Sequence, residues 1–187
     1  FDVKIVKLLA KYYPVYLSGL WGTLWISAVT VLLGLVLGML VALMRMSRSK
    51  LLNAVSGVYI EVLRGTPILL QLCFLYYALA FSKHSIGVIP TGIIALGVYT
   101  GAYMAEVFRA GIESVPFGQF EAAKSQGFTY FEEMYYIILP QTVKIILPPM
   151  VNQIVNLIKN TSCLYIVGGA DLISVTYSFV TGASTGG

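Results

Sequence analysis

Polar side chains recur along the fourth long hydrophobic stretch of the sequence, residues 134–160. Four of them follow an i, i+4, i+7, i+8 spacing that places them on one helical face, and the fifth borders it: Asn152, Asn156, Lys159, Asn160 and Gln153. Polar groups are costly inside lipid, so such a face indicates a helix that lines an aqueous path for a solute. Hydrogen bonding between helices is the alternative interpretation, and it remains open at this point.

The third hydrophobic stretch, residues 86–106, repeats the pattern. Tyr99, Tyr103 and Glu106 are spaced i, i+4, i+7, and tyrosine combines an apolar ring with a hydroxyl that suits an amphipathic solute. Glu106 and Arg109 lie one turn apart, and we interpret them as an ion pair that fixes the depth of the helix at the membrane interface. Tyr99 and Tyr103 are therefore predicted path residues.

In the second stretch, residues 60–82, Arg64 is expected to anchor the helix at the interface. Gln71 lies one or two turns deeper and is a further candidate for the solute path. These polar side chains suit solute recognition, and no residue of the chain is required to perform covalent chemistry.

Composition shows which solvent these stretches need. The chain has 187 residues, of which 58% are hydrophobic and 11% charged, whereas soluble domains carry about 25% charged residues. Lipid must solvate much of this surface, which excludes a free cytosolic enzyme and a disordered chain. With two cysteines in apolar runs and one histidine, His84, a disulfide framework or a metal site is not expected. The net charge of +4 bears on membrane orientation and does not indicate a nucleic-acid partner.

Gaps between charged residues predict the elements. We expect an all-α bundle of several membrane spans in one domain, residues 1–187, with a short amphipathic helix in the interface at residues 1–12. A cytoplasmic loop is expected at residues 113–133, and the spans are predicted at residues 18–44, 60–82, 86–106 and 134–160.

Loop charges predict the orientation. Arg45, Arg48 and Lys50 place the first connection in the cytoplasm, and the charged third connection, residues 106–133, is cytoplasmic as well. The second connection, residues 82–90, lies outside. The N-terminal lysines oppose this assignment, and an interfacial helix accommodates them because their side chains reach lipid phosphates.

Small and cyclic residues predict how the spans pack. GxxxG pairs at Gly34/Gly38 and Gly97/Gly101 indicate close helix contacts. Prolines remove backbone donors, so we expect the fourth stretch to be kinked or broken at Pro140, Pro148 and Pro149.

Two short helices and a turn are predicted within the cytoplasmic loop. Residues 119–126 are good helix formers, and Gly127 supplies a C-terminal stop. Thr129 is expected to cap the next helix, with Glu132 completing a capping box. A rigid, polar protrusion between two spans offers a partner protein something to bind.

Here the sequence resembles the permease subunits of ABC importers. Glu121-Ala122-Ala123, Gly127 and Ile137-x-Leu139-Pro140 match every fixed position of the EAA loop of that family. The likeness to its polar amino-acid uptake subfamily covers about residues 20–175, and it rests on three further motifs: Arg64-Gly-Thr-Pro67 with Gln71, Ala102-Tyr-Met-Ala-Glu106, and Lys159-Asn-Thr-Ser162.

The resemblance implies the type I importer fold in a bacterial inner membrane. Glu121 would contact a groove of a cytoplasmic ATPase, Ala122 and Ala123 would permit close packing, and Gly127 would form the turn. The implied partners are two ATPase subunits, a second permease copy or homologue, an external or periplasmic solute-binding protein and a polar amino acid. ATP and Mg²⁺ would be bound by the ATPase, because this chain has no GxxxxGK[ST] loop. The family also has a further span, which we expect to be missing after residue 175.

Gln153 and Asn160 are amides where many members of the family carry an acid. We therefore expect a neutral or acidic amino acid, such as glutamine or glutamate, in preference to a cationic one. A partner permease that supplies the specific site is an alternative, and the sequence does not indicate whether a solute-binding domain is fused to the chain. The rival functions are an ion-coupled secondary transporter, which would favour paired intramembrane carboxylates, and a structural membrane adaptor.

Overall fold

The computed structural model describes residues 3–82, 86–168 and 176–177, and these are almost entirely helical with no strand among them. In chain order the helices are α1 (Val3–Arg45), α2 (Lys50–Gly65), α3 (Ile68–Phe81), α4 (Val88–Glu113), α5 (Phe117–Ser125), α6 (Tyr130–Glu132), a π-helical segment (Glu133–Ile138), α7 (Leu139–Asn160) and a 3₁₀ segment (Thr161–Val167). The expected all-α class is confirmed. His84, Lys83 and most of the chain after residue 168, where the expected truncation falls, lie outside the described residues.

Helix α1 extends beyond the first predicted span. It runs from Val3 to Arg45 with Pro14 inside it, so the backbone of residues 3–12 continues directly into the apolar stretch. Proline lacks only a donor, and a helix can continue through it when the preceding carbonyl is otherwise accommodated. That residues 1–12 lie in the membrane interface remains a prediction.

The second predicted span, residues 60–82, does not form a single helix. Helix α2 begins at Lys50, where Ser49 caps it by accepting a hydrogen bond from the Leu52 backbone amide, and it ends at Gly65. Helix α3 then begins at Ile68. Pro67 explains the break, because the residue before a proline is driven out of the helical region, and Thr66 has the extended angles φ −113° and ψ 133°.

Three helical stretches are long and apolar enough to cross a membrane: Tyr13–Arg45, Val88–Glu113 and Tyr130–Val167. Lys50–Gly65 and Ile68–Phe81 pass the same test together, which gives up to four spans within the described residues. A multi-span membrane protein, as the composition predicts, follows from these lengths.

The chain divides into two compact units with separate cores. The first unit comprises the chain up to Leu32, Pro67–Leu96 and the chain from Leu157 onward, and its core is built around Ile26, Leu72 and Leu96. The second unit comprises Leu33–Thr66 and Gly97–Asn156. Its core is built around Ala42, Ile60, Met104, Ala105, Phe108 and Ile146.

Glycines of α1 and α4 permit a close helix contact inside the second unit. A Cβ atom added at Gly38 would lie 2.5 Å from Met104 Cβ, and one at Gly34 would lie 2.8 Å from Thr100 Cγ2. Gly101 faces the same seam, where an added Cβ would lie 3.0 Å from Leu37 Cβ. The glycines Gly34, Gly38 and Gly101 therefore share one helix–helix interface, in which small residues let the backbones approach.

Helix α7 corrects one part of the expectation for the fourth stretch, because the later prolines do not break it. The helix continues through Pro148 and Pro149 to Asn160. Pro140 lies at its second position, directly after the π-helical segment Glu133–Ile138. A π-turn accommodates a local break in the regular hydrogen-bond ladder, and this irregularity lies just before the first proline. A kink of α7 at Pro148 and Pro149 remains a prediction.

Candidate functional site

The loop between α4 and α7 forms the predicted protrusion. Helix α5 spans Phe117–Ser125, slightly longer than predicted, and Gly127 follows it with φ +83°. This left-handed conformation is one that side-chain-bearing residues adopt at a cost, which explains a glycine at the turn. Its amide and that of Phe128 donate to the carbonyls of Lys124 and Ala123, which closes the end of the helix.

The predicted capping box is present at the start of α6. Thr129 Oγ1 accepts a hydrogen bond from the Glu132 amide at 3.5 Å, and the Thr129 amide donates to Glu132 Oε2 at 2.8 Å. A second link joins α5 to α7, because Gln141 Nε2 donates to Gln119 Oε1 at 3.4 Å. The protrusion is thus held at both ends by local hydrogen bonds.

The four residues assigned to ATPase coupling lie on this protrusion with different exposures. Glu121 and Ala122 are exposed, and so is Gly127 at the turn. Ala123 is 1% exposed and lies against the protein's own interior. The outer face of α5 therefore presents a carboxylate beside a small side chain, whereas Ala123 allows α5 to pack closely on its own chain.

A cavity of about 450 Å³ lies elsewhere in the second unit, between α4, α7 and the end of α2. Polar and apolar side chains both contribute to its wall, which is typical of small-molecule sites. Its lining residues are Arg64, Tyr103, Glu106, Val107, Ala110, Gly111, Ser114, Ile145, Ile146, Pro149 and Gln153. Gly111 permits this arrangement, because a Cβ atom there would overlap Ile146 Cγ2.

Charged side chains concentrate at one end of the cavity. Glu106 accepts hydrogen bonds from Arg109 at 2.8 Å and 3.2 Å, which confirms the pairing expected from their spacing. Arg109 also donates to Glu113 Oε2 at 2.6 Å. Arg64 Nη1 lies 3.7 Å from Glu106 Oε2, and its guanidinium carbon lies 5.1 Å from the centre of the Tyr103 ring, a cation–π contact.

The predicted path residues are distributed between the two units. Tyr103 and Gln153 both line the cavity, and Tyr99 donates a hydrogen bond to the Tyr103 hydroxyl at 3.2 Å. The other path residues do not line this cavity. Asn152 and Asn156 are exposed in the second unit, whereas Gln71 and Asn160 are half-buried and belong to the first unit: these four remain predictions.

Of the residues that line the cavity, the sequence pattern assigns only Tyr103 and Gln153 to the solute path. The same pattern indicates an interface anchor for Arg64, a depth-setting ion pair for Glu106 and only a helix bend for Pro149. A usable signal does exist for Arg64 and Glu106, since each is an ionisable residue at the end of a charge-free run. Their convergence depends on how α2 packs against α4, which the sequence pattern does not give.

Comparison with known proteins identifies the family. Residues 34–185 match the model of the family described as binding-protein-dependent transport system inner membrane component. The matched region includes α2, the cavity and the protrusion. It therefore covers every element of the second unit, apart from Leu33 at its beginning.

Curated relatives and a solved structure agree with this family. The probable glutamine ABC transporter permease protein GlnM of Bacillus subtilis (strain 168) is 42% identical over 168 residues, covering 90% of this chain and 78% of the relative. The putative glutamine transport system permease protein GlnP of Rickettsia prowazekii (strain Madrid E) is 40% identical over 169 residues, covering 88% and 78%. A crystal structure of an amino acid ABC transporter with histidines is 38% identical, with a TM-score of 0.87, and covers 97% of this chain and 85% of that one.

These matches cover most of the chain and most of each relative, and they come from sequence and from structure. The relatives are membrane permeases, in which ATP hydrolysis is the task of a separate subunit, so this chain is not an enzyme. It belongs to the family of inner-membrane components of binding-protein-dependent transport systems, and it is a pore-forming permease subunit of an amino-acid ABC importer.

Proposed function

We propose that this permease moves a neutral or acidic polar amino acid of the glutamine type across a bacterial inner membrane, and that the 450 Å³ cavity holds the solute on its way. The cavity carries the proposal. Its volume falls within the range of about 300–1,000 Å³ usual for small-ligand sites, and its wall combines apolar surface with a few convergent polar groups.

The polar groups of the cavity favour an amide or carboxylate side chain. Gln153 offers both a donor and an acceptor, so it can pair with a ligand amide in either sense. Glu106, on α4, is the one carboxylate among the residues that line the cavity, and the lining residues of α7 include none, so a cationic side chain lying against α7 would meet no negative charge. Two relatives are described as glutamine permeases, which is consistent with this preference.

A basic solute is the competing possibility, since the solved neighbour at 38% identity is described with histidines, whose imidazole takes up a proton at about pH 6.5. In that case a partner permease would supply a second acidic side chain, because Glu106 is the one carboxylate among the residues that line this cavity. The two possibilities differ in how a carboxylate at position 153 should change the preference between glutamine and arginine.

Uptake of labelled amino acids by the reconstituted complex distinguishes them. The wild-type complex should transport glutamine in preference to arginine, and Gln153→Glu should shift the ratio toward arginine by about tenfold, since a new charge–charge contact replaces a neutral one. Gln153→Met, which keeps the size without the charge, is the control and should not favour arginine. Strong arginine preference by the wild-type complex would refute the proposed substrate class.

The protrusion is the proposed coupling element. The exposed Glu121 and Ala122 would bind in a groove of a cytoplasmic ATPase. Ala123, which is buried, and Gly127, at the turn, would fix the orientation of α5. Two such ATPases, which bind ATP and Mg²⁺, would drive this chain and a second permease copy or homologue between inward-facing and outward-facing states. A solute-binding protein would deliver the amino acid from outside.

Ion-coupled transport is the rival function. It would require accumulation driven by a sodium or proton gradient, and it would leave α5 without a partner. Co-purification with an ATPase subunit and uptake that depends on ATP separate the two functions.

A further inference from the structure

Arg64 differs from the other charged groups at its end of the cavity. Within the described residues, its guanidinium makes the 3.7 Å contact to Glu106 Oε2 and the cation–π contact to Tyr103. The 3.7 Å separation exceeds a hydrogen bond, for which N–H···O distances of about 2.7–3.2 Å are usual. Arg109, in contrast, donates to Glu106 and Glu113 at 2.6–3.2 Å.

Glu106 lies between the two arginines. Its side chain is 23% exposed, and its oxygen that faces Arg64 also accepts from Arg109 at 2.8 Å. The carboxylate is therefore firmly oriented from one side and loosely approached from the other. Arg64 is the less constrained partner by geometry, since its side chain is 43% exposed.

A second cavity, of about 190 Å³, adjoins the same pair. Arg64 and Glu106 line both cavities, and the wall of the second one is completed by Arg45, Gly57, Ile60, Glu61 and Arg109. Arg64 thus lies at the boundary between two spaces.

We propose that Arg64 and Glu106 together bind the zwitterionic head group common to all α-amino acids, with the ligand inserted between them. The ligand carboxylate would take the place of Glu106 as the partner of Arg64, and the ligand ammonium would bind Glu106 on the side that Arg109 leaves open. One loose ion pair is thereby exchanged for two charge-assisted hydrogen-bonded pairs. Tyr103 would hold the plane of the guanidinium during this exchange.

This arrangement divides recognition into two parts. Arg64 and Glu106 bind the backbone of the amino acid, and the α7 wall of the cavity, with Pro149 and Gln153, contacts its side chain. A mutation of the charged end should therefore weaken every amino acid, whereas a mutation at Gln153 should change the order among them. The inference rests on the proposed function, because it places its ligand in the same cavity.

The test measures equilibrium binding to the full purified complex in nanodiscs. The probes are glutamine, glutaminamide, which lacks the free carboxylate, and glutaramic acid, which lacks the amine. The wild-type complex should bind each analogue about tenfold or more weakly than glutamine, since each loses a charge-assisted contact. The same series built on histidine, with histidinamide and imidazolepropionate, is measured in parallel.

Variants assign each loss to a side chain. We call the loss of affinity of each analogue relative to its parent amino acid its penalty. In Arg64→Gln the penalty for blocking the carboxylate should nearly vanish while the penalty for removing the amine persists. Glu106→Gln should show the reverse. Arg48→Gln removes the same charge from an exposed position outside both cavities, and it should keep both penalties. Arg64→Lys should restore part of the carboxylate penalty, and thermal melting of each complex checks that it remains folded.

The outcomes separate this inference from the proposed substrate. If only the histidine series binds and its penalties follow Arg64 and Glu106, the head-group assignment holds and the glutamine preference is wrong. If glutamine binds but Arg64→Gln keeps the full carboxylate penalty, the substrate class stands and the head-group assignment is overturned. Absence of binding by both series to the wild-type complex overturns both.

Discussion

Gly38 is a position at which the backbone of a neighbouring helix leaves no room for a side chain. A Cβ atom there would lie 2.5 Å from Met104 Cβ, 3.1 Å from the Ala105 amide nitrogen and 3.1 Å from the Gly101 carbonyl oxygen. Two of these three atoms belong to the backbone of α4, so no side-chain rotation relieves them. Gly38→Ala therefore forces α1 and α4 apart, and overpacking of this kind costs about 1–3 kcal/mol.

A matched control variant separates the clash at Gly38 from the gain in helix propensity that a glycine-to-alanine substitution brings. Gly118, in α5, has no atom within 4 Å of an added Cβ, so Gly118→Ala should gain about 0.5–1 kcal/mol of helix propensity without a clash. Gly38→Ala gains the same and adds the clash, which leaves the overpacking cost as the difference between the two variants. That difference corresponds to about 2–4 °C of melting temperature per kcal/mol for a chain of this length.

Thermal melting of the purified complex, followed by size-exclusion chromatography after heating, provides the assay. Gly38→Ala should melt several degrees below Gly118→Ala. If the two melt together, or Gly38→Ala melts higher, α1 and α4 do not approach at this seam and the packing of the second unit is wrong.

Three further predictions concern the protrusion. Glu121→Lys should abolish ATPase binding or uncouple ATP hydrolysis from uptake, and the melting temperature of the permease chain should stay unchanged because Glu121 is exposed. The control is Gln126→Lys, at the exposed position directly after α5, which should transport normally. Gly127→Ala should cost about 1–2 kcal/mol, since a Cβ atom is unfavourable at φ +83°, and coupled uptake should fall while solute binding is kept. Thr129→Ala removes the capping box and should cost about 0.5–2 kcal/mol, which faster amide exchange in residues 130–134 would report; exchange equal to wild type contradicts the role of the cap.

Local features of this fold follow from neighbouring residues, so the sequence predicts them well. Thr129 and Glu132 are three residues apart, and the capping box that their types favour is the one formed. The stop after α5 at Gly127 is similarly local, because only the backbone angle at that residue matters. The GxxxG pairs predict close packing, but which helix each pair packs against is known only from the fold.

Two other features are not predicted from the sequence, one because two local signals conflict and one because it depends on tertiary contacts. Pro67 separates α2 from α3, yet the absence of charge from residue 65 to residue 82 favours one continuous span. The cavity unites Arg64, Glu106 and Gln153, which come from three helices and are far apart in sequence. Spacing along a helix places Gln153 on a face, but only the tertiary packing brings that face to the two charged groups.

The central claim is that this permease moves an amino acid because a separate ATPase drives it through α5. The direct measurement is uptake of labelled glutamine into proteoliposomes that hold the complex purified through this chain, with ATP enclosed and the solute-binding protein outside. We expect accumulation with ATP, none with a non-hydrolysable analogue, and none with Glu121→Lys. Accumulation without ATP, driven by a sodium or proton gradient across vesicles that contain this chain alone, would contradict it.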